Sequence, residues 1–407
     1  MNKPKIRFKG FEEEWKDVKL SSIAIFSKGQ GYSKSDLREN GHPIILYGRM
    51  YTKYQFAINE VDTFSNLKGA YVLSEGNEII MPASGETPED IACASAVLAK
   101  GIILGGDLNI VRFDLKKYST PFLALTITYS KTHYDLSKCA QGKSVVHLHN
   151  EAISKTAVSI PSLPEQRAIA SYFTSLDAQI AASTSRLSSL KQIKAASLLN
   201  MFPQKGETVP RVRFKGFQGE WKKVKIGDVA PLTGGFAFQS GQFKTSGVPI
   251  IRISNILSSG IVGGDFVYYN EIKGDSEFRL YKGDVVIAMS GATTGKVATF
   301  EANDFGYQNQ RVGKFSRTNL VNYELLSKLV SAPNFQKKII SKLTSSAQPN
   351  ASSKDIDSID LVVPEETEEQ QAIASYFTAL DAQITLHRER LEKLKQIKAA
   401  CLEKMFA

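Results

Sequence analysis

The sequence predicts an α/β (α+β) protein in which two globular domains are separated by two long antiparallel coiled-coil helices, as a pseudo-twofold tandem duplication. Three features predict it: a repeated leading segment, a nearly identical helical segment that occurs twice, and dissimilar segments between them. A chain of 407 residues is long enough for two hydrophobic cores. The predicted boundaries are a first globular domain at 1–161, a helical region at 162–203, a linker with a second globular domain at 204–364, and a second helical region at 365–407.

The repeat is visible by direct comparison of the two halves. PKIRFKGFEEEW at 4–15 recurs as PRVRFKGFQGEW at 210–221, an offset of 206 residues, and AIASYFTSLDAQI at 168–180 recurs with one change at 372–384, an offset of 204. A period this long excludes a solenoid and indicates a tandem duplication. Because the offset changes between the two motifs, the halves differ in the segments that lie between them. Each half is therefore a shared frame that carries a different insert.

The shared frame is predicted to be helical. Its apolar residues recur at steps of three and four, in the first copy as far as Ile193, which is typical of a coiled-coil stripe. Ser162 to Glu165 and Thr367 to Gln370 match the Ser/Thr-x-x-Glu/Gln capping box. Each helix would have about 40 residues and a length of roughly 60 Å. The residues assigned to helix pairing or partner docking are Ile169, Phe173, Leu176, Ile180, Leu187, Leu190, Ile373, Phe377, Leu380, Ile384, Leu391 and Leu394.

Both inserts contain short β-branched runs between glycine turns, which predicts mixed α/β domains with prominent strands. A Gly-x-Pro-Ile-Ile sequence begins at Gly41 in the first insert and at Gly247 in the second, at similar relative positions. We therefore expect the two inserts to share a fold despite their divergence.

The formal net charge of +10 favours a polyanionic partner, and nucleic acid is the most common one. Several loops combine basic, aromatic and amide side chains, which suit phosphate contacts and base-edge contacts. The residues predicted to bind DNA are Arg49, Tyr51, Lys53, Tyr54, Gln141, Lys143, Ser144, Arg252, Ser254, Asn255, Thr293, Thr294, Lys296, Gln308, Asn309, Gln310, Arg311, Gln348 and Asn350.

No catalytic or metal site is predicted. The segment from Ser290 to Lys296 imitates a phosphate-binding loop, but its glycines are too close together and Val297 replaces the required Ser or Thr. We expect a glycine-rich strand-to-strand loop near DNA instead. His147 and His149 would share a strand face, yet the sequence offers no third ligand. Three widely spaced cysteines fit a reducing compartment. The chain offers neither an apolar signal core nor a long apolar run, so we expect a cytoplasmic protein without a membrane association.

These motifs together resemble a known family over essentially the whole chain. PEQRAIASYF at 164–173 and EQQAIASYF at 369–377 are each followed by LDAQI or its equivalent, and the second insert contains GVPIIRISN at 247–255 and KGDVVIAMSGATTGK at 282–296. The chain resembles the specificity (S) subunit of type I restriction–modification systems. The first insert departs further from the common pattern, with PASGETP at 82–88 where the second has MSGATTG at 289–295.

The resemblance implies two target-recognition domains, each of which reads one half of a bipartite, asymmetric site in double-stranded DNA. It implies that the helices dock two methyltransferase (M) subunits, that restriction (R) subunits join the complex, and that the chain has no catalysis of its own. S-adenosylmethionine, ATP and Mg²⁺ are then expected on the partner subunits only. Two alternatives remain at this point: a coiled-coil adaptor that binds only proteins, and a stand-alone DNA-modifying enzyme.

Overall fold

The computed structural model describes residues 4–142, 144–343 and 350–406. These residues form two compact units: unit 1 contains residues 4–184 and 389–406, and unit 2 contains residues 185–388. Both units draw on both long helices, so the compact units do not coincide with the boundaries predicted from the sequence. No helix formed by the described residues combines the length and the apolar character needed to cross a membrane.

Unit 1 is a mixed α/β unit. Its strands are β1 (Lys16–Lys19), β2 (Ala24–Lys28), β3 (Leu37–Arg38), β4 (His42–Ile45), β5 (Ala57–Ile58), β6 (Phe64–Ser65), β7 (Glu78–Pro82), β8 (Ser84–Gly85), β9 (Ser95–Val97), β10 (Ile103–Leu104), β11 (Leu108–Phe113), β12 (Val146–His147) and β13 (Ala157–Ile160). Its helices are α1 (Arg49–Thr52), α2 (Pro88–Ile91), α3 (Thr120–Tyr129), α4 (Lys131–Cys139), α5 (Asn150–Lys155), the first part of α6 (Leu163–Asn200) and the last part of α11 (Thr367–Phe406).

Unit 2 repeats this plan with fewer strands. Its strands are β14 (Lys222–Lys225), β15 (Leu232–Gly234), β16 (Val248–Ile251), β17 (Val267–Tyr269), β18 (Arg279–Leu280), β19 (Val285–Ala288), β20 (Val297–Thr299), β21 (Gly306–Gln308), β22 (Val312–Phe315) and β23 (Asp360–Val363). Its helices are the last part of α6, α7 (Ile226–Val229), α8 (Tyr323–Ser331), α9 (Pro333–Leu343), α10 (Ser353–Asp357) and the first part of α11.

The sheets of the two units share a common set of strand pairings and differ in their edge strands. The order β2-β11-β7-β9 of unit 1 reappears as β15-β22-β19-β20 in unit 2. Each unit also contains a small antiparallel strand pair, β1 with β13 in unit 1 and β14 with β23 in unit 2. Each unit also has a strand following a Gly-x-Pro turn, β4 or β16, paired in parallel with a later strand, β10 or β21. The expectation that the diverged inserts share a fold is confirmed by these pairings.

The Gly-x-Pro-Ile-Ile turns show why the same local sequence was kept twice. Gly41 and Gly247 have φ values of +141° and +126°, which L side chains rarely adopt. A Cβ on Gly41 would lie 2.6 Å from the carbonyl oxygen of Ser65, and one on Gly247 would lie 2.5 Å from that of Tyr269. Glycine is therefore required at both positions so that each strand can begin beside its antiparallel neighbour.

The two long helices have the predicted lengths, 38 residues for α6 and 40 for α11. In unit 1, Asp177 and Lys398 are ion-paired at 2.5 Å, while the rings of Phe173 and Phe406 lie 6.1 Å apart. In unit 2, the rings of Phe202 and Phe377 stack at 5.7 Å. Within each unit the helical segments therefore run antiparallel, because residue numbers rise along one segment as they fall along the other.

Most of the apolar stripe is buried. Of the twelve residues assigned to pairing or docking, Ile180 is half-buried, and the buried ones are Ile169, Phe173, Leu176, Leu187, Leu190, Ile373, Phe377, Leu380, Ile384, Leu391 and Leu394. Ile193, which the periodicity also placed in the stripe, is 44% exposed. The heptad steps pass instead from Leu190 to Lys194, whose ammonium pairs with Asp381 at 2.6 Å.

The helix starts differ from the predicted capping boxes. The carboxylate of Glu165 accepts two hydrogen bonds from Arg7 at 2.6 Å each, so its oxygens are engaged with the leading segment. In the other copy the side-chain carbonyl of Gln370 accepts from the Asn322 N–H at 2.8 Å, and its amide donates to the Pro364 carbonyl at 2.9 Å. Glu165 therefore joins α6 to the leading segment, and Gln370 joins α11 to the insert, instead of closing a capping box.

Candidate nucleic-acid interface

The turn between β21 and β22 is the centre of a cluster of loops in unit 2. In this turn the Asn309 N–H donates to the Ile251 carbonyl at 3.1 Å, and the Gln310 N–H donates to the Phe236 carbonyl at 2.9 Å. The carbonyl of Arg311 accepts from the Met289 N–H at 2.9 Å. Backbone hydrogen bonds therefore hold three other loops against residues 309–311. We call residues 236, 252–255, 289–296 and 309–311 the unit 2 loop cluster.

Side-chain hydrogen bonds fix two loops of this cluster, residues 252–255 and 289–296. The hydroxyl of Thr293 donates to the Ile253 carbonyl at 3.2 Å, and the Thr294 hydroxyl donates to the Gly291 carbonyl at 2.6 Å. The segment that imitates a phosphate-binding loop is a connection between antiparallel strands β19 and β20, not a strand-to-helix turn. This topology agrees with the expectation of a glycine-rich strand-to-strand loop.

Most of the DNA-binding residues predicted for unit 2 meet at this cluster and reach its surface. The exposed ones are Ser254, Gln310, Arg311 and, beside the cluster, Asn350, and the half-buried ones are Arg252, Thr293, Thr294, Lys296 and Asn309. The Ala351 N–H donates to the Met289 carbonyl at 2.8 Å, which places the neighbouring Asn350 next to the same loops. Gln348 lies outside the described residues.

Two predicted readers are internal. Gln308 is fully buried, and its amide donates to the carbonyls of Thr233 and Val312 at 2.8 Å each. Asn255 is 1% exposed, and its amide donates to the carbonyls of Gly263 and Asp265 at 3.1 and 3.0 Å. Their assignment to DNA does not fit these positions, because the amide donors that suit a base edge are used to hold the loops.

Unit 1 has the same backbone frame at the equivalent place. The Gly105 N–H donates to the Ile45 carbonyl at 2.9 Å, as Asn309 does to Ile251, and the Ala83 N–H donates to the Asp107 carbonyl at 2.7 Å, as Met289 does to Arg311. The turn itself is different, because Gly105, Gly106 and Asp107 stand where unit 2 has Asn309, Gln310 and Arg311. The same frame thus presents two glycines and a carboxylate in one unit, and two amides and a guanidinium in the other.

The aromatic and basic loop of unit 1 is partly committed to internal bonds. Arg49 is buried and pairs with Asp62 at 2.5 Å, and Lys53 pairs with the same carboxylate at 2.6 Å. The bonds from Lys53 and Arg49 hold the pKa of Asp62 well below its usual range. The Tyr54 hydroxyl donates to the Ala94 carbonyl at 3.0 Å inside the unit. Arg49 and Tyr54 do not fit a DNA contact in this structure, whereas Lys53 and Tyr51 remain at the surface.

Exposed Gln141 and Ser144 lie beside a short hairpin. Gln141 exchanges two backbone hydrogen bonds with His147, at 3.0 and 2.7 Å, and His147 Nδ1 lies 3.1 Å from the Ser84 hydroxyl. The rings of His147 and His149 stack on each other, 6.2 Å apart. In the part of the chain that the structure describes, no group of three or more His, Cys, Asp or Glu side chains is placed to hold a metal. Lys143 lies outside the described residues.

A cavity of about 670 Å³ lies beside the aromatic and basic loop of unit 1 and is lined by Tyr47, Tyr51 and Tyr54, among others. The hydroxyl of Tyr51 donates to the Ser84 carbonyl at 2.6 Å, so this ring closes one side. Burial raises the pKa of the Cys93 thiol at the cavity wall to about 12. The thiol is therefore protonated at neutral pH and is not a nucleophile.

Sequence reasoning missed Phe236, which lies in the middle of the unit 2 loop cluster. Its side chain is 41% exposed, and its backbone bonds join it to both Gln308 and Gln310. The signal available in the sequence was the pair Gly234-Gly235 directly before an aromatic residue. That pair predicts a turn in which the backbone approaches another chain segment closely.

Comparisons with known proteins agree with the duplicated architecture. The sequence model of the family described as "Type I restriction modification DNA specificity domain" matches residues 12–192 and again residues 218–396. The chain is 20% identical over 396 residues to the type I restriction enzyme MjaVIII specificity subunit of Methanocaldococcus jannaschii, covering 95% of this chain and 90% of that protein.

Solved structures show the same fold. The crystal structure of the type I restriction–modification system S subunit from M. genitalium aligns over 100% of this chain and 99% of that one, with a TM-score of 0.64 at 14% identity. A structure concerned with complex assembly and conformational transition of the type I system aligns over 97% of this chain and 98% of that one, with a TM-score of 0.51 at 16% identity. The family model that matches both halves of the chain defines a DNA-specificity protein of duplicated design. The chain belongs to the type I restriction–modification DNA specificity family.

Membership of this family gives the function in outline. The protein supplies DNA sequence specificity to a type I restriction–modification system, and it is a subunit without catalytic activity. Neither a stand-alone DNA-modifying enzyme nor an adaptor that binds only proteins is favoured by the comparisons.

Proposed function

We propose that each unit reads one half of a bipartite, asymmetric site in double-stranded DNA. The observation that carries this proposal is the shared backbone frame with unlike side chains at its centre, Asn309-Gln310-Arg311 in unit 2 and Gly105-Gly106-Asp107 in unit 1. Two copies of one reader with identical side chains would suit a symmetric site. Different side chains on an equivalent frame suit two different half-sites.

In unit 2 the reading surface is the loop cluster. Gln310 and Arg311 are exposed on a turn whose backbone is tied to its neighbours, so their side chains are positioned by a rigid frame. Gln suits the edge of adenine and Arg that of guanine in the major groove. Half-buried Arg252 and Lys296 flank them and suit phosphates, which position the protein without reading sequence.

In unit 1 the reading surface extends from the equivalent turn to the segments beside it. Tyr51, Lys53, Gln141 and Ser144 are exposed. The Tyr51 hydroxyl bonds to Ser84 and the hairpin of Gln141 pairs with the same residue, which follows Ala83, whose N–H donates to the Asp107 carbonyl. Asp107 replaces the guanidinium of Arg311 with a carboxylate, which accepts hydrogen bonds from cytosine and repels phosphates. We propose that these side chains read the second half-site.

The frame itself is proposed to dock two identical methyltransferase subunits, with restriction subunits joining the complex. The support is that both units keep equivalent helix contacts: Asp177 with Lys398 in unit 1, and Asp381 with Lys194 in unit 2. A groove of about 340 Å³ in unit 2 is lined by Ile193, Val212, Phe214 and Tyr376, among others. Unit 1 has Ile397, Ile6, Phe8 and Tyr172 at the matching repeat positions. A surface that occurs twice suits a partner that binds twice.

The proposal is tested by exchanging one insert. Residues 222–361 are replaced with the corresponding insert of a relative, and the methylated sequence is mapped across the genome of cells that carry the whole system. We expect one half-site to change and the other to stay the same. If both half-sites stay unchanged, the unit 2 insert does not read DNA.

The adaptor alternative is separated by DNA binding in vitro. The complex of this chain with its methyltransferase subunits should bind its site selectively, and the affinity should fall as salt rises, because phosphate contacts release counterions. Binding that ignores both sequence and salt contradicts the proposal and favours the adaptor.

A further inference from the structure

Phe236 is held in a fixed position by bonds on both sides of its backbone. Its N–H donates to the Gln308 carbonyl at 2.9 Å, and its carbonyl accepts from the Gln310 N–H at 2.9 Å. The preceding Gly235 approaches so closely that a Cβ there would lie 2.3 Å from the Gln308 carbonyl oxygen. The segment therefore packs beside the β21–β22 turn, and the backbone of Phe236 is hydrogen-bonded to that of Gln310.

The ring of Phe236 rests on an aromatic base. Its centroid lies 4.8 Å from that of Phe278, at an interplanar angle of 25°, and 5.0 Å from that of Phe238. Phe238 in turn stacks on buried Tyr307 at 5.5 Å, and the hydroxyl of Tyr307 donates to Asp275 at 2.5 Å. One side of the ring therefore packs against other aromatic rings. Phe236 is nevertheless 41% exposed to solvent, next to exposed Gln310.

We propose that Phe236 contacts the 5-methyl group of a thymine in the half-site that unit 2 reads. The inference rests on the proposed function of the loop cluster and adds an apolar contact to the polar readers Gln310 and Arg311. A phenyl ring has no hydrogen-bonding group, and the apolar feature that distinguishes bases in the major groove is the thymine methyl. Insertion between base pairs suits a ring that stands free, whereas the ring of Phe236 lies against Phe278.

Unit 1 has a different side chain at this place. The Gln30 N–H donates to the Leu104 carbonyl at 3.1 Å, as Phe236 does to Gln308, and Gly29 makes the same close approach as Gly235. Gln30 is exposed and polar. Gln30 matches Phe236 through its N–H bond only, because the carbonyl that accepts from the Gly106 N–H is that of Gly31. The thymine contact is therefore specific to the half-site of unit 2, and Phe236→Gln places the polar side chain of unit 1 at this position.

The experiment measures the affinity of the full-length chain with its methyltransferase subunits for duplexes in which each thymine of the site is replaced in turn by deoxyuridine, which lacks the methyl group. For the unaltered chain, one replacement in the unit 2 half-site should weaken binding by about fourfold, the value of one buried methyl group. Phe236→Ala and Phe236→Gln should weaken binding to the thymine duplex and remove the response to deoxyuridine at that position. Tyr281→Ala is the matched control, because Tyr281 is 53% exposed in unit 2 and lies at the opposite end of β19.

Two further variants separate this inference from the proposed function. Gln310→Ala and Arg311→Ala should change the recognised half-site while the deoxyuridine response persists. If these two variants act as expected and Phe236→Ala leaves the response unchanged, the thymine contact is refuted and the reading surface stands. If all three variants leave the half-site unchanged, both are refuted. A half-site without thymine also overturns the contact. A rise in 2-aminopurine fluorescence that depends on Phe236 overturns it as well, because such a rise indicates base unstacking.

Discussion

Arg7 binds both carboxylate oxygens of Glu165 at 2.6 Å each, and this pair joins the leading segment to the start of α6. Glu165 is 1% exposed, and the bond to Glu165 raises the pKa of Arg7 above its ordinary value. Arg213 and Glu369 form the same pair in unit 2, at 2.7 and 2.8 Å. The duplicated sequence therefore preserves a bidentate bond that ties each helix to the segment before its insert.

Arg7→Ala should destabilise unit 1, because it leaves the buried carboxylate of Glu165 without its partner. We expect the free energy of unfolding to fall by about 3 kcal/mol, as for other buried pairs that lose one member. Chemical denaturation of the full chain measures the effect. Arg211→Ala is the control, since Arg211 forms an exposed pair with Glu207, and exposed pairs contribute about 0–1 kcal/mol. Equal losses in the two variants would contradict a structural role for the Arg7–Glu165 pair.

Acid should weaken unit 2 through Asp381. Burial would raise the pKa of this carboxyl, but the charges of Lys328 and Lys194, at 2.8 and 2.6 Å, outweigh burial and the pKa is lowered. A carboxyl with a lowered folded pKa stabilises the fold above its unfolded pKa of about 3.9 and loses that contribution as the pH falls through the folded value.

We therefore expect the Tm of unit 2 to drop as the pH falls below about 4. Asp381→Asn should lower the Tm at pH 7 and flatten its dependence on pH in this range. Glu392→Gln is a suitable control, because Glu392 and its partner Lys395 are both more than half exposed. The same acid dependence in Asp381→Asn and in the unaltered chain would show that another group is responsible.

Phe377→Ala should open a cavity where α11 meets the end of α6. Phe377 is fully buried, and its ring stacks on Phe202 at 5.7 Å. A truncation of this kind costs about 3–5 kcal/mol. Ile193→Ala, on the exposed side of α6, should change the free energy of unfolding by about 0.5 kcal/mol or less. If Phe377→Ala abolished DNA binding without loss of stability, the helix seam would be part of the DNA interface instead.

Periodicity predicted the helices well because a heptad stripe is a property of one segment. It failed at Ile193. From Leu190 a step of three leads to Ile193 and a step of four leads to Lys194, and both steps fit the pattern. The ion pair of Lys194 with Asp381 shows that the stripe continues through Lys194. The capping boxes failed for a related reason: Glu165 has the right spacing, but the competing partner Arg7 lies 158 residues away. Local rules cannot include a partner that only the tertiary structure supplies.

The candidate surface could be predicted only in part, for the same reason. Residue type drew attention to residues 308–311, and backbone bonds place the turn 309–311 at the centre of the loop cluster. Residue type cannot show that Gln308 points inward and Gln310 outward. Gln308 is the last residue of β21, whereas Gln310 lies in the turn after it, and the course of that turn is set by hydrogen bonds to distant segments. Phe236 was missed because its place beside Gln310 depends on a bridge between segments 73 residues apart.

Gln308 and Gln310 should therefore respond in opposite ways to the same substitution. Gln308→Ala removes two buried amide donors and leaves the carbonyls of Thr233 and Val312 without them, so unit 2 should lose about 1–3 kcal/mol of stability. Gln310→Ala removes an exposed side chain, so the Tm should stay within about a degree while the methylated half-site changes at one position. Thermal denaturation and methylation mapping of both variants measure the two effects. A changed sequence preference in a fully stable Gln308→Ala variant would place the buried amide at the DNA, against its hydrogen bonds in the fold.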